Sequence, residues 1–131
     1  MDIAKCLALV DELWDRDVGG PGPGMVELAV SGGECPDGRL TAEDVYALEE
    51  ALTERLTTRR GAAARWGTGT LRERMSRGEE IPDPWARLAA QAVELRGWEN
   101  ARGRWLIVTV ADTDPEAGVR LLLAVTDVVP D

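Results

Sequence analysis

Apolar positions follow two rhythms along this chain, and the densest of them lie near its C-terminal end. Residues 104–111 read Arg-Trp-Leu-Ile-Val-Thr-Val-Ala, and residues 119–129 read Val-Arg-Leu-Leu-Leu-Ala-Val-Thr-Asp-Val-Val. Between them, residues 112–118 are polar and contain Pro115 and Gly118. Two β-branched and aliphatic runs on either side of a polar loop predict a β-hairpin. The runs are apolar at nearly consecutive positions, so at least one strand is expected to be covered on both faces or to lie centrally. The rest of the chain should pack on or beside this hairpin.

Helical spacing opens the sequence. Ile3, Cys6, Leu7, Val10, Leu13 and Trp14 share one stripe at i, i+3, i+4 and i+7, with Asp2 placed to cap it and Gly19-Gly20 to end it. The Gly/Pro-rich residues 19–24 can hold neither helix nor ladder. Residues 25–31 then alternate, with Val26, Leu28 and Val30 on one face, which predicts a strand. Residues 32–38 are turn material.

A second helix starts at Thr41, which has Asp44 three residues on as an acidic capping box. Its apolar line is Val45, Leu48, Leu52 and Leu56. Acids lead it, Arg55, Arg59 and Arg60 trail it, and Gly61 stops it, in keeping with the helix dipole. Thr70 is expected to cap a short helix through Leu71 and Met75. Asp83-Pro84 restarts the chain into a third apolar helix stripe of Trp85, Leu88, Ala89 and Ala92. Residues 93–99 fit a continued helix or a strand, and Gly97-Trp98 favours the strand. A turn at residues 100–103 then leads into the hairpin, completing a three-stranded meander. The expected fold is one α+β domain over residues 1–131. It consists of an antiparallel sheet of about four strands with a C-terminal β-meander and helices packed on it in two layers.

Composition places the chain in an ordinary class. With 131 residues, 44% hydrophobic and 30% charged, it is long enough to bury a core as a single domain. No apolar run reaches the roughly 20 residues that span a bilayer. The start of the chain does not read as a signal peptide, so a cytoplasmic setting with Cys6 and Cys35 reduced is expected. One Lys against fourteen Arg, one Asn, three Ile and no Phe match a high-GC bacterial genome.

Charge changes the picture more. The net charge of −9 is unevenly spread: residues 1–54 carry 3 basic and 13 acidic side chains, whereas residues 55–104 carry 11 Arg and 6 acids. An acidic first half suits a basic partner, although segments far apart in sequence also interleave in space.

Candidate chemistry is sparse. There is no His for a triad or an imidazole metal ligand. Ser31 and Ser76 lie in no nucleophile elbow, and Lys5 sits at the start of the first helix. Asp112, Asp114 and Glu116 alternate like a calcium loop, but the Gly and Glu of that loop are out of register, and a polar turn is the plainer reading. No cofactor and no metal are expected. Arg59, Arg60, Arg65, Arg72, Arg74 and Arg77 surround Trp66 as in some phosphate or single-strand binders, yet the acidic balance of the whole chain argues against nucleic acid. Trp14 and Trp85 read as core. Trp98 and Trp105 flank a turn and could meet as a cross-strand pair.

The expected function is therefore a non-catalytic protein-interaction module that masks a basic partner in the manner of an immunity protein or antitoxin. The candidate surface is Glu43, Glu49, Glu50, Glu54, Trp98 and Trp105. The alternative is a small-molecule binder or carboxylate-based enzyme with a pocket between sheet and helices. An acid- and Arg-lined concavity would favour the alternative, and a flat acidic face with exposed Trp the first reading.

Overall fold

Seven residues of β6 set the centre of the fold. β6 (Trp105–Ala111) pairs with β7 (Arg120–Thr126) in unbroken antiparallel register from Trp105↔Thr126 to Ala111↔Arg120. This is the hairpin the apolar runs predict. In the computed structural model, which describes residues 3–15, 24–35, 38–82, 85–100, 103–114, 116 and 118–127, this pair lies inside a five-stranded sheet of order β1-β7-β6-β5-β4. β1 (Gly24–Val30) borders β7, β5 (Glu94–Glu99) borders β6, and β4 (Ala64–Gly67) forms the far edge. Every neighbouring pair is antiparallel. β5, β6 and β7 follow one another as the expected meander, and residues 94–99 are strand. A separate two-stranded hairpin, β2 (Glu34–Cys35) with β3 (Gly38–Arg39), occupies the region expected to be a turn.

Side chains of β6 and β7 alternate between two apolar clusters. Leu106, Val108, Leu121, Leu123 and Val125 face α1 (Ile3–Asp15) and α2 (Ala42–Arg60), with Cys6, Val10, Val45, Leu52 and Leu56 packed against them. Ile107, Leu122 and Ala124 face the other way, towards α3 (Thr68–Ser76) and α4 (Trp85–Gln91), where Leu71, Trp85, Leu88 and Ala89 cover them. The two layers expected from the element order thus become helix–sheet–helix. A strand that is apolar on both sides needs a cover on each, and the four helices divide to supply it. Asp2, Asp83, Pro84 and the Gly/Pro-rich segment 19–23 lie outside the described residues, as do the side chains of Leu13, Trp14 and Cys35.

The strict alternation expected for β1 is broken by a bulge between Glu27 and Ala29. Leu28 and Ala29 are consequently both buried in the same cluster, while Val30 moves opposite Arg120. α2 starts as expected, with the Thr41 hydroxyl accepting from Asp44 N at 3.1 Å and the Asp44 carboxylate accepting from Thr41 N at 2.8 Å. The Thr41 N–H donated to the carboxylate, and the Thr41 hydroxyl beside it, lower the Asp44 pKa from its ordinary value. At its other end Gly61 takes the positive φ of 94° that ends the helix. α3 begins at Thr68, three residues before the Leu71 start that a Thr70 cap implies, with Gly67 at the cap position. Thr68, not Thr70, is the key residue there: its buried hydroxyl lies 2.8 Å from the carbonyls of Ala92 and Val93, joining α3 to the chain entering β5.

β4 is the strand of the five-stranded sheet that the sequence reading did not foresee. It is held by aromatic packing. The Trp66 ring meets Trp85 at 4.7 Å and Trp105 at 5.1 Å, both edge-to-face, a geometry worth about 0.5–1.5 kcal/mol per pair beyond burial. Gly97 leaves the room for this group. A Cβ there would stand 2.8 Å from Trp66 Cζ3 and 3.3 Å from both the Leu106 carbonyl oxygen and Trp105 Cε3. Gly97→Ala is expected to cost about 1–3 kcal/mol, the usual penalty of overpacking, read as a lower urea midpoint at unchanged slope. A wild-type midpoint would show that the three rings do not constrain β5.

Candidate functional site

One flank of α2, through Tyr46 and Glu49, and the strands beside it border a concave surface. α2 is amphipathic about the line Val45, Leu52 and Leu56, which is buried, so residues opposite that line face water. Glu43, Glu50 and Glu54 are exposed and make no ion pair among the described residues. Tyr46 lies between them, three residues after Glu43 and four before Glu50, on the same side of the helix. At 42% exposure it and Val93, at 62%, are the large apolar side chains left open to solvent among the described residues.

Glu49 behaves differently from its neighbours. It turns towards the sheet, where Oε1 accepts from Arg96 Nη1 at 3.1 Å and from Thr53 Oγ1 at 3.3 Å. Arg96 Nε is 3.6 Å from Glu94 Oε1, which Arg65 reaches at the same distance from β4. One turn towards the start of α2, the Tyr46 hydroxyl donates to Asp112 Oδ2 at 2.7 Å, bridging 66 residues to the first position after β6. These two cross-links border a cleft of about 200 Å³. Val93, Val108 and Val110 supply its apolar lining. Asp112 has no ion pair among the described residues, whereas Glu49 and Glu94 are both matched by Arg.

The Asp112 carboxylate also sets the chemistry of the tyrosine. By accepting the hydroxyl proton it raises the Tyr46 pKa above its usual value of about 10, and slight burial and the negative charge act in the same direction. The neutral phenol is the form favoured in the folded state. That contribution to stability is complete below the ordinary pKa and is lost as pH rises through the folded value.

The sequence-derived candidates fall apart into three groups. Glu43, Glu50 and Glu54 form the exposed acidic stripe, and Glu49 belongs to the cleft. Trp98 is 3% exposed, on the α2 face of the sheet, with its indole donating to the Gly61 carbonyl at 3.0 Å. Trp105 is half-buried on the opposite face against Trp66. The two indoles do not meet: Trp98 pairs with Leu106 and Trp105 with Glu99, so they point to opposite sides. The exposed tryptophan pair expected from the turn is replaced by Tyr46.

The Arg cluster disperses as well. Arg59 pairs with Asp11 on α1 at 3.4 Å, Arg65 with Glu94, and Arg74 with Glu79 at 2.6 Å, while Arg72 donates to Thr68. Among the described residues no three His, Cys, Asp or Glu side chains converge as a metal site. No helix among them is long and apolar enough to cross a membrane.

Sequence reasoning missed Tyr46, Val93 and Arg96, and read Asp112 only as part of a polar turn. Tyr46 carried a signal: it is the chain's one tyrosine and falls off the apolar line of α2, inside the acidic spacing. The others carried none, because their proximity is purely tertiary.

These features define an α+β protein with helices on both faces of an antiparallel sheet and an acidic, tyrosine-centred cleft beside one helix. The chain matches no protein-family model, no curated protein and no solved structure.

As the single tyrosine, Tyr46 can be titrated by its absorbance at 295 nm without interference from other phenols. Its midpoint is expected above 10 in the wild type and to fall towards the ordinary value in Asp112→Asn, whose amide carries no charge. Identical midpoints in the two proteins would remove Asp112 as the cause.

Proposed function

We propose that the protein is a non-catalytic interaction module that docks a basic protein partner on the exposed side of α2. One observation carries this reading. The acidic stripe Glu43, Glu50 and Glu54 keeps its charge unpaired among the described residues, and an exposed aromatic side chain lies within it. Two other acids of the first half are matched internally, Asp11 by Arg59 and Glu49 by Arg96. An unmatched stripe gives long-range attraction for a cation, and an exposed Tyr gives the anchoring area typical of interface hot spots. Masking of a basic partner, as immunity proteins and antitoxins do, is the specific form this reading takes. A reduced intracellular setting is part of the same proposal.

A second reading, a small-molecule binder or carboxylate enzyme, is favoured by the acid- and Arg-lined cleft, and Trp98 and Trp105, buried and half-buried, give the interaction reading no exposed tryptophan. The cleft volume of about 200 Å³ is below the roughly 300–1,000 Å³ of ordinary ligand pockets, and Glu49 and Glu94 are occupied by Arg. The interaction reading therefore ranks first.

The test begins with capture from the source cells and identification of the co-purifying protein by mass spectrometry. Association with the purified partner is then timed. Glu50→Arg with Glu54→Arg is expected to leave the fold intact, since exposed charges seldom affect stability strongly. The double variant should slow association several-fold at low salt, with the deficit shrinking as ionic strength rises and screening shortens to about 10 Å or less. Wild-type rates with every captured protein would reduce the stripe to a solvated helix face.

A further inference from the structure

We infer that the cleft between α2 and β5–β6 receives an arginine side chain of the basic partner, an inference that rests on the interaction reading above. The shape and lining of the cleft select this occupant. An arginine is amphipathic: its methylene stem needs an apolar bed and its planar guanidinium needs an aromatic face or a carboxylate. The cleft presents these in one place. The exposed Val93 and the partly exposed Val110 offer the apolar bed, with the buried Val108 beneath. The Tyr46 ring forms a wall that is 42% exposed, open to stacking by a cation. Asp112 stands at the end of that wall with Oδ2 engaged by the Tyr46 hydroxyl, and Oδ1 has no hydrogen bond among the described residues.

Size decides in the same direction. About 200 Å³ holds one long side chain and is small for a drug-sized ligand. Charge agrees: the lining has Glu49, Glu94 and Asp112 against Arg96, and Arg65 adds one more cation at Glu94. The carboxylate left over is Asp112, beside the aromatic wall. Glu43 and Glu50, on either side of Tyr46 along the helix, raise the local concentration of a cation before it enters.

The experiment titrates the isotope-labelled protein with a short peptide of alternating Arg and Gly, and with its Glu/Gly counterpart as control, followed by NMR. The Arg/Gly peptide should shift the signals of Tyr46, Val93 and Val110, and the Glu/Gly peptide should not. Tyr46→Ala should weaken binding about two- to fivefold, the range of one exposed cation–π contact. Tyr46→Phe keeps the ring but releases Asp112 from the hydroxyl that positions it, so it should bind more weakly than the wild type and more tightly than Tyr46→Ala. Asp112→Asn should weaken binding and make it less salt-dependent. Circular dichroism and melting of each variant establish that the fold is retained.

Two outcomes overturn the inference. In the first, the peptide binds but its shifts lie along Glu50 and Glu54, and Tyr46→Ala and Asp112→Asn change nothing. The cleft is then not the receptor, and the acidic-stripe reading stands alone. In the second, the Arg/Gly peptide does not bind. The cleft then has no arginine site, and the association rates of the Glu50/Glu54 double reversal judge the broader reading separately.

Discussion

The antiparallel pairing of β6 with β7 is the constraint on which the rest of the structure depends. Its seven residue pairs place apolar side chains on both sides of the sheet at once, so neither face can be left to water. This single fact distributes the helices: α1 and α2 close one side, and α3 and α4 close the other. It also explains why the first helices are needed by the last strands, although they lie at opposite ends of the chain. The hydrophobic driving force comes mainly from area removed from water, so a strand buried on both faces draws elements from wherever in the sequence they occur.

The parts of this arrangement that were legible in the sequence are those encoded locally. The β6–β7 runs are continuous and β-branched, and the Thr41–Asp44 cap and Gly61 stop bound α2 without reference to anything else. Gly97-Trp98 was enough to choose strand over helix for β5. β4 was not legible because its four residues, Ala64–Gly67, have little intrinsic preference and become a strand through what Trp66 touches. The bulge at Glu27–Ala29 was hidden for a related reason. Val26, Leu28 and Val30 alternate cleanly, yet β1 must match the register of β7, and tertiary pairing overrode local pattern.

Charge shows the same division between local and tertiary information. The sequence splits into an acidic half and an Arg-rich segment, but the fold interleaves them: α1 meets the end of α2 through Asp11 and Arg59, and α2 meets β5 through Glu49 and Arg96. Part of the apparent asymmetry is thus internal complementarity. What survives the interleaving is more informative than the total of −9. Glu43, Glu50 and Glu54 remain exposed and unpaired among the described residues, on the side of α2 opposite its buried line.

The cleft draws together residues from α2, the start of β5, β6 and the position just beyond β6, which is why no spacing rule pointed to it. Its walls are nonetheless set by features of different kinds. The capping box fixes where α2 begins, and with it the height of Tyr46 and Glu49 above the sheet. Glu49–Arg96 ties the helix to β5, and Tyr46–Asp112 ties it to the end of β6. Each tie is modest, since partly exposed polar contacts contribute on the order of 1 kcal/mol or less. Together with the buried line Val45, Leu52 and Leu56 below, they hold the aromatic wall and the carboxylate in position before any partner arrives. Less side-chain ordering then remains to be done on binding, the condition under which a small surface gains affinity. The Tyr46 hydroxyl bond matters most in this respect, because it orients the aromatic face and positions the one cleft carboxylate that no described cation neutralises.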